Sequence, residues 1–472
     1  MSNKILVWFR QDLRHRDNPA LHAAASKGTV LPVYILDDVH AGDAAMGAAS
    51  RWWLHHSLQS LDKSLGGKLQ VFAGDPLQLI PRLMAESGAD AIHWNRCYEP
   101  WQIKRDGELK QRLKEDGAEV FSHNGLLIWE PWTNLKKDET PYKVFTPFYR
   151  NGLSLGVDNS QLCDMPAELH LADCKQSPDK IDALELLPSI PWYEGFTEHF
   201  TPGESGAEQK LDKFLCDGIA DYKQGRDYPA MEKVSRLSPH LHFGEISPQR
   251  VWQQAHEAGM HSSVETQAEH FQRELAWREF SYSLLYHFPT LTEDNMNSRF
   301  DSFPWMEDAA LLNIWQKGET GYPLVDAGMR ELWTTGYMHN RVRMVVGSFL
   351  VKNLMQHWQQ GAKWFWDCLL DADLANNTCS WQWVAGCGAD AAPYFRIFNP
   401  LTQSEKFEAA AYIKRYVPEL AKLPDKLVHN PSNAPQQELE AAGIRLGKDY
   451  PEPVVDLKES RERALAAYKT LN

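Results

Sequence analysis

A chain of 472 residues is too long for one ordinary hydrophobic core, so two or more domains are expected. Hydrophobic residues at 43% and charged ones at 24% describe a globular protein. No apolar run reaches membrane-spanning length and the first residues carry no signal-peptide pattern, which predicts a cytoplasmic protein with no membrane partner. A net charge of −14 argues against non-specific binding of nucleic acid over the whole surface, yet it leaves room for a local basic face.

Apolar, β-branched-rich runs fall at residues 5–9, 30–36, 69–73, 91–94 and 119–122, with helical stretches at 19–25, 50–65, 76–86 and 102–115 between them. That alternation predicts an N-terminal α/β domain over residues 1–130, a doubly wound parallel sheet. Its first turn, Arg10-Gln11-Asp12-Leu13-Arg14, lacks G-x-G-x-x-G, so no dinucleotide is expected on it. Residues 131–205 read as an interdomain connector, punctuated by Asp164-Met165-Pro166, Lys175-Gln176-Ser177-Pro178 and Leu187-Pro188-Ser189-Ile190-Pro191. From 206 to 472 the pattern is helical, with 3.6-residue periodicity near 207–217, 265–286, 307–317, 323–334 and 340–358, which predicts an all-α C-terminal domain.

Chemistry-bearing residues concentrate in that second domain. Residues 371–400 hold Asp371, Asp373, Asn376, Asn377, Trp381, Trp383 and Arg396 in an otherwise apolar, helix-poor stretch. Carboxylates and amides beside indoles suit a buried, planar, hydrogen-bonding heterocycle that exchanges electrons; a packed core with a polar turn is the competing reading. Helical spacing puts Phe271, Glu274, Trp277 and Arg278 on one face. Asn340 and Met344, four apart and close to Arg343, suit a pocket for a pyrimidine-like ligand better than a core stripe. Ser235-Arg236-Leu237-Ser238-Pro239 reads either as a phosphate cradle at a helix start or as a plain N-cap. The 18 tryptophans fill core or serve as stacking surfaces and electron relays, and the spacing of Trp305, Trp358 and Trp381 does not by itself separate the two. Seven cysteines without a C-x-x-C pair fit a reducing compartment. Cys368, Cys379 and Cys387 fall one thiolate short of an iron–sulfur cluster, and no metal is expected.

Taken together, Val7-Trp8-Phe9-Arg10-Gln11-Asp12-Leu13-Arg14, Ser235-Arg236-Leu237-Ser238, Glu274-Leu275-Ala276-Trp277-Arg278-Glu279-Phe280, Thr320-Gly321-Tyr322-Pro323-Leu324-Val325-Asp326 and the 371–400 stretch resemble the photolyase/cryptochrome family over essentially the whole chain. The resemblance implies an antenna domain followed by a helical domain that holds a U-shaped FAD. It places Tyr222, Val234, Ser235, Arg236, Leu237, Ser238, Phe271, Glu274, Arg278, Asn340, Arg343, Asp371, Asp373 and Asn377 around the cofactor. Val234 departs from the threonine of many members, so a hydroxyl contact to phosphate is lost there or replaced by a backbone amide. Asn377 matches the residue facing flavin N5, where DNA photolyases carry Asn, plant cryptochromes Asp and animal cryptochromes Cys.

For the substrate, the resemblance implies a cyclobutane pyrimidine dimer flipped out of UV-damaged DNA and sandwiched by Trp277 and Trp383. Glu274, Asn340 and Asn377 are the expected catalytic residues. A protonated Glu274 would stabilise the charge that develops on the dimer. Met344 completes the pocket, and Arg226, Arg341 and Arg396 are expected to clamp backbone phosphates. Trp381, Trp358 and Trp305 match the chain that photoreduces the flavin. Expected is light-driven dimer repair by electron transfer from excited reduced FAD, carried out by a monomer in the cytoplasm and on the nucleoid. The alternatives are a blue-light cryptochrome photoreceptor, disfavoured by the missing C-terminal extension, and a (6-4) photolyase, disfavoured by Asn340 where a histidine is needed. Gly47-Ala48-Ala49-Ser50-Arg51-Trp52-Trp53-Leu54 looks closest to class III bacterial photolyases, which implies 5,10-methenyltetrahydrofolate as antenna. Trp94-Asn95-Arg96 keeps 8-hydroxy-5-deazaflavin as the alternative.

Overall fold

The computed structural model describes residues 3–160, 162–173, 175–176, 180–260 and 263–471; Cys174, Ser177 and Pro178 of the expected connector lie outside them. Five strands, β1 (Lys4–Phe9), β2 (Thr29–Leu36), β3 (Gln70–Ala73), β4 (Ala89–Asn95) and β5 (Glu119–His123), form a parallel sheet of order β3-β2-β1-β4-β5. Helices α1 (Pro19–Ala25), α2 (Ala48–Ser64), α3 (Pro76–Ser87) and α4 (Pro100–Glu115) make the crossovers. Side chains alternate across each strand, so Ile5, Val7 and Phe9 pack with Leu21 and Trp53 on one face, while Leu6 and Trp8 pack with Ile80 and Leu109 on the other. The β2–β3 ladder begins at Val33, just past Pro32, whose missing N–H therefore costs no bond in that ladder.

The expected connector is partly structured. Helix α5 (Phe145–Leu155) lies inside it, and its Phe145, Phe148 and Tyr149 join the core of the helical domain. Pro147 and Gly152 mask its periodicity in the sequence. Farther on come α6 (Glu204–Lys213), α7 (Glu265–His287), α8 (Pro323–Thr335), α9 (Asn340–Ser348), α10 (Trp358–Cys368) and α11 (Leu374–Ala385). α7 runs for 23 residues without Gly or Pro and stops at Phe288, whose successor Pro289 disfavours helical geometry before it.

Two expectations need correction. The periodic run 340–358 is not one helix: α9 ends at Ser348, a π-helical turn covers Phe349–Asn353, Met355 takes φ 52°, and Trp358 opens α10. The apolar stripe continues through the break, which is why periodicity alone reads straight across it. Nor is 371–400 helix-poor, since α11 occupies its centre, capped by Asp373 and closed by Gly386 at φ 91°. Asn, Thr, Cys and Trp have weak helix propensity, and burial of Thr378, Trp381 and Val384 overrides it.

The two domains lock together through buried polar contacts. The Arg14 guanidinium donates to the carbonyls of Asp17, Gly125 and Gly244, and Trp53 Nε1 donates to Glu245 Oε1 at 2.9 Å. Gly244, at φ 63°, sits where a Cβ would come within 1.9 Å of the Gln11 carbonyl oxygen, so only glycine permits this approach.

Candidate active site

A cavity of about 520 Å³ opens into the helical domain between α7, α9, α11 and the segment around the short helix Ser238–His242. Its volume falls in the range of cofactor sites, about 300–1,000 Å³. Every residue assigned above to the cofactor lines it: Tyr222, Val234, Ser235, Arg236, Leu237, Ser238, Phe271, Glu274, Arg278, Asn340, Arg343, Asp371, Asp373 and Asn377. So do Arg226, Trp277, Met344, Trp381 and Trp383. Arg341, Arg396, Trp358 and Trp305 do not.

α11 carries the polar floor. Asp373 Oδ1 caps it, accepting from the Asn376 backbone N–H and amide at 2.8 Å each. Asp373 Oδ2 accepts from the Tyr282 hydroxyl at 2.5 Å and lies 3.4 Å from His242 Nδ1. Burial opposes ionisation of this carboxyl, but the hydrogen bonds and charges of His242, Arg278 and Tyr282 win and hold it down at about 2. One turn on, Asn377 Nδ2 donates to the Ala362 carbonyl at 3.0 Å, so the amide is fixed and its oxygen is the group left for a ring N–H in the cavity. Asp371 accepts from Ser238 Oγ at 2.5 Å and from Arg343 Nη2 at 3.0 and 2.9 Å. Anchored carboxylates for sugar hydroxyls, serines and arginines for phosphates, and walls of Phe271, Leu275, Phe365 and Val384 together fit a flavin dinucleotide.

Four arginines gather around this site, and three of them are paired with carboxylates: Arg226 with Glu274, Arg341 with Asp227 and Arg343 with Asp371. His339, the N-cap of α9, is buried and then pushed down to about 3 by burial and by the charges of Arg236, Arg341, Arg226 and Arg343. These guanidinium groups become available to anions as their carboxylate partners let go. His339 is thereby neutral, with Nδ1 accepting from the Arg341 backbone N–H at 3.2 Å, so it is no proton donor to a substrate next to Asn340.

Toward the cavity mouth, Trp277 stacks on Phe145 with ring centroids 3.8 Å apart and planes 6° off parallel, which covers one indole face. Trp383 lines the same cavity from α11. Glu274 is salt-bridged to Arg226, and Arg341 to Asp227, so both arginines hold protein carboxylates. For Glu274 to bond a substrate and for Arg226 to reach a phosphate, their pair must part. Arg396 lies apart from these, exposed in the loop between α11 and Pro400 beside Phe395, which is 65% exposed.

Of the three tryptophans, Trp381 meets α10 at Gly361, one turn after Trp358, where a Cβ would fall 2.1 Å from its ring. Trp358 is buried and donates Nε1 to Asn295 Oδ1 at 2.9 Å. His357 links outward, its ring 5.7 Å from Trp358 and 5.1 Å from the half-buried Trp305. The sequence reading missed Tyr282, His242 and Phe145. Tyr282 follows Arg278 by four on α7 and His242 follows Ser238 by four, so helical spacing held a signal for both; Phe145 lies in the stretch Tyr142–Phe148, which shares the family resemblance but gave it no role.

Comparison with known proteins accords with this geometry. The DNA photolyase family pattern matches residues 5–163, and the FAD binding domain of DNA photolyase matches residues 271–470. The chain is 48% identical over 470 residues to a deoxyribodipyrimidine photo-lyase of Agrobacterium fabrum, covering 98% of this chain and 97% of the relative. It is 37% identical to cryptochrome-2 of Arabidopsis thaliana, covering 98% of this chain and 78% of that one. The crystal structure of a class III photolyase from Agrobacterium tumefaciens superposes with a TM-score of 0.95 at 46% identity, covering 100% of this chain and 98% of that one. A parallel sheet joined to a helical flavin cradle, matched end to end by these proteins, has one reading: the chain belongs to the photolyase/cryptochrome family.

Proposed function

We propose that this protein binds FAD and repairs cyclobutane pyrimidine dimers in UV-damaged DNA under blue light. One observation carries the reading: Glu274, Trp277, Asn340, Met344 and Trp383 line the same cavity as the flavin cradle, so a flipped dimer and the cofactor share one space. Reduced FAD, when bound, supplies the excited-state electron that splits the cyclobutane ring and receives it back. The protein's part is positioning and electrostatics. Trp277, braced by Phe145, offers its free face to an unstacked pyrimidine, and Trp383 offers a second. Asn340 and Glu274 bond the pyrimidine amide and carbonyl edges, and Asn377 holds its oxygen toward the flavin. Arg226, Arg341 and Arg396 take the backbone phosphates, the first two by leaving Glu274 and Asp227. Trp381, Trp358 and Trp305 relay electrons to oxidised flavin. The absence of a protonatable histidine beside Asn340 speaks against (6-4) photoproducts.

We read residues 1–130 as the antenna domain, 131–205 as the connector and 206–472 as the catalytic domain, working as a cytoplasmic monomer that meets DNA at the nucleoid. No helix among the described residues is long and apolar enough to cross a membrane. For the antenna we favour 5,10-methenyltetrahydrofolate over 8-hydroxy-5-deazaflavin, on the resemblance to class III photolyases. Chromatography of the released chromophores separates the two.

Blue-light repair of two defined oligonucleotides by photoreduced protein tests the function. Restoration of the cyclobutane dimer alone is expected. Repair of neither, with FAD bound and photoreducible, would point to a photoreceptor instead. Glu274→Ala deletes a hydrogen bond involving a charged group, worth about 1.5–3 kcal/mol. It should lower repair yield, while FAD content stays at the wild-type level and the freed Arg226 offsets part of the lost affinity. Loss of flavin would reassign that face of α7.

A further inference from the structure

Lys352 sits in the π-helical turn Phe349–Asn353 and is 0% exposed. Among the described residues no carboxylate forms an ion pair with it. Its Nζ donates to the Arg396 carbonyl at 2.9 Å and lies 5.2 Å from the centre of the Tyr394 ring. Tyr394 is in turn stacked on Tyr468 at 4.6 Å, with planes 9° off parallel. The charge felt at this amine is that of Arg396, and around its turn lie the two phenols and Arg463 of the helix Leu457–Lys469, whose Nη2 donates to the Asn353 carbonyl at 2.8 Å. A buried lysine without a counter-ion is costly, and a π-helical turn often marks a functional site. What this one supports is the loop that exposes Phe395 and Arg396 to solvent.

We infer that Lys352 is a positioning residue for DNA: it holds the Phe395-Arg396 loop from beneath, and docking of a phosphate at Arg396 is linked to proton uptake by its amine. This rests on the reading of Arg396 as a phosphate clamp. Burial and then the Arg396 charge push the Lys352 amine down to about 7 in the free protein. A phosphate over Arg396 offsets the second and smaller of these two effects, so the amine is more basic in the complex than in the free protein. The protonated form is then the one favoured on binding. Affinity is accordingly highest below pH 7 and falls as pH rises through the value in the complex, by at most tenfold per pH unit for one linked proton.

The test is calorimetric titration of the FAD-loaded protein with dimer-containing DNA between pH 6 and 9, in buffers of differing ionisation heat. Wild type should take up a fraction of a proton per complex near pH 7.5. Lys352→Gln, which keeps a donor to the Arg396 carbonyl, should bind with wild-type affinity at pH 9 but without proton uptake. Lys352→Met, similar in volume but without a donor, should lose both the uptake and several-fold in affinity at every pH, flavin content reporting that it is folded. Proton uptake that persists in Lys352→Gln, or Lys352→Met equal to wild type throughout, overturns the inference. Arg396→Gln should flatten the salt dependence of affinity by about one unit of slope. An unchanged slope instead refutes the clamp reading itself, whatever the lysine variants do.

Discussion

Asp373→Ala is expected to yield protein that is roughly 3–5 kcal/mol less stable and purifies without flavin. The carboxylate caps α11, and losing a cap costs about 1 kcal/mol. It also satisfies the buried Tyr282 hydroxyl, which left unpaired adds about 1–3 kcal/mol, and the half-buried Asn376 amide, which adds less. α11 carries Asn377, Trp381 and Trp383, so fraying its first turn disorders the cavity floor as well as the fold. Acid titration gives a second readout. A carboxyl held at about 2 contributes stability that is complete above its ordinary value of 3.8 and is lost as pH falls toward 2. That contribution, about 2.5 kcal/mol, should vanish from the acid limb of the variant. The neighbouring Glu99 shifts the other way, pushed up to about 7 by burial and then by the Asp373 charge. Removing Asp373 should therefore let Glu99 ionise at lower pH. Thermal melts from pH 2 to 8 with and without added FAD measure both effects; a variant with wild-type melts and flavin content would mean that Tyr282 and His242 suffice to hold the site.

Much of this arrangement is legible in the sequence, and the limits have physical reasons. The sheet read well because its strands are short, β-branched and separated by well-punctuated helices: 5–9 and 19–25 match β1 and α1 to within one residue. Residues one helical turn apart on α7 could be placed on one face, and the cavity gathers Phe271, Glu274 and Arg278 together. Periodicity failed where tertiary burial decides. It ran across the π-helical turn after Ser348, because side chains remain buried on both sides of that break. It also undervalued α11, whose residues are poor helix formers held by a cap and a core. Ion pairs across elements, such as Arg226 with Glu274, connect residues 48 apart and leave no local trace. The same holds for the Lys352 contact to the Arg396 carbonyl, which only the folded chain reveals.

Gly361→Ala should sharply slow photoreduction of oxidised flavin, although alanine is the better helix former. In the middle of α10 the replacement gains about 1 kcal/mol of helix propensity. Against it stands a Cβ placed 2.1, 2.5 and 2.6 Å from three atoms of the Trp381 ring, well inside contact distance. Overpacking of this kind costs about 1–3 kcal/mol, so the clash wins or cancels the gain. The indole has little room to yield, since Phe365 and Trp315 meet its edges at centroid distances of 4.9 and 6.2 Å. The ring or α10 must therefore shift, and either movement changes the gap between Trp381 and Trp358 across which the relay is proposed to run. Repair by chemically reduced protein bypasses the relay, so it should fall far less than photoreduction in the same variant. Trp381→Phe gives the reference for complete loss of the first step. If Gly361→Ala photoreduces at the wild-type rate while Trp381→Phe does not, the Gly361 face of α10 does not set the Trp381–Trp358 gap.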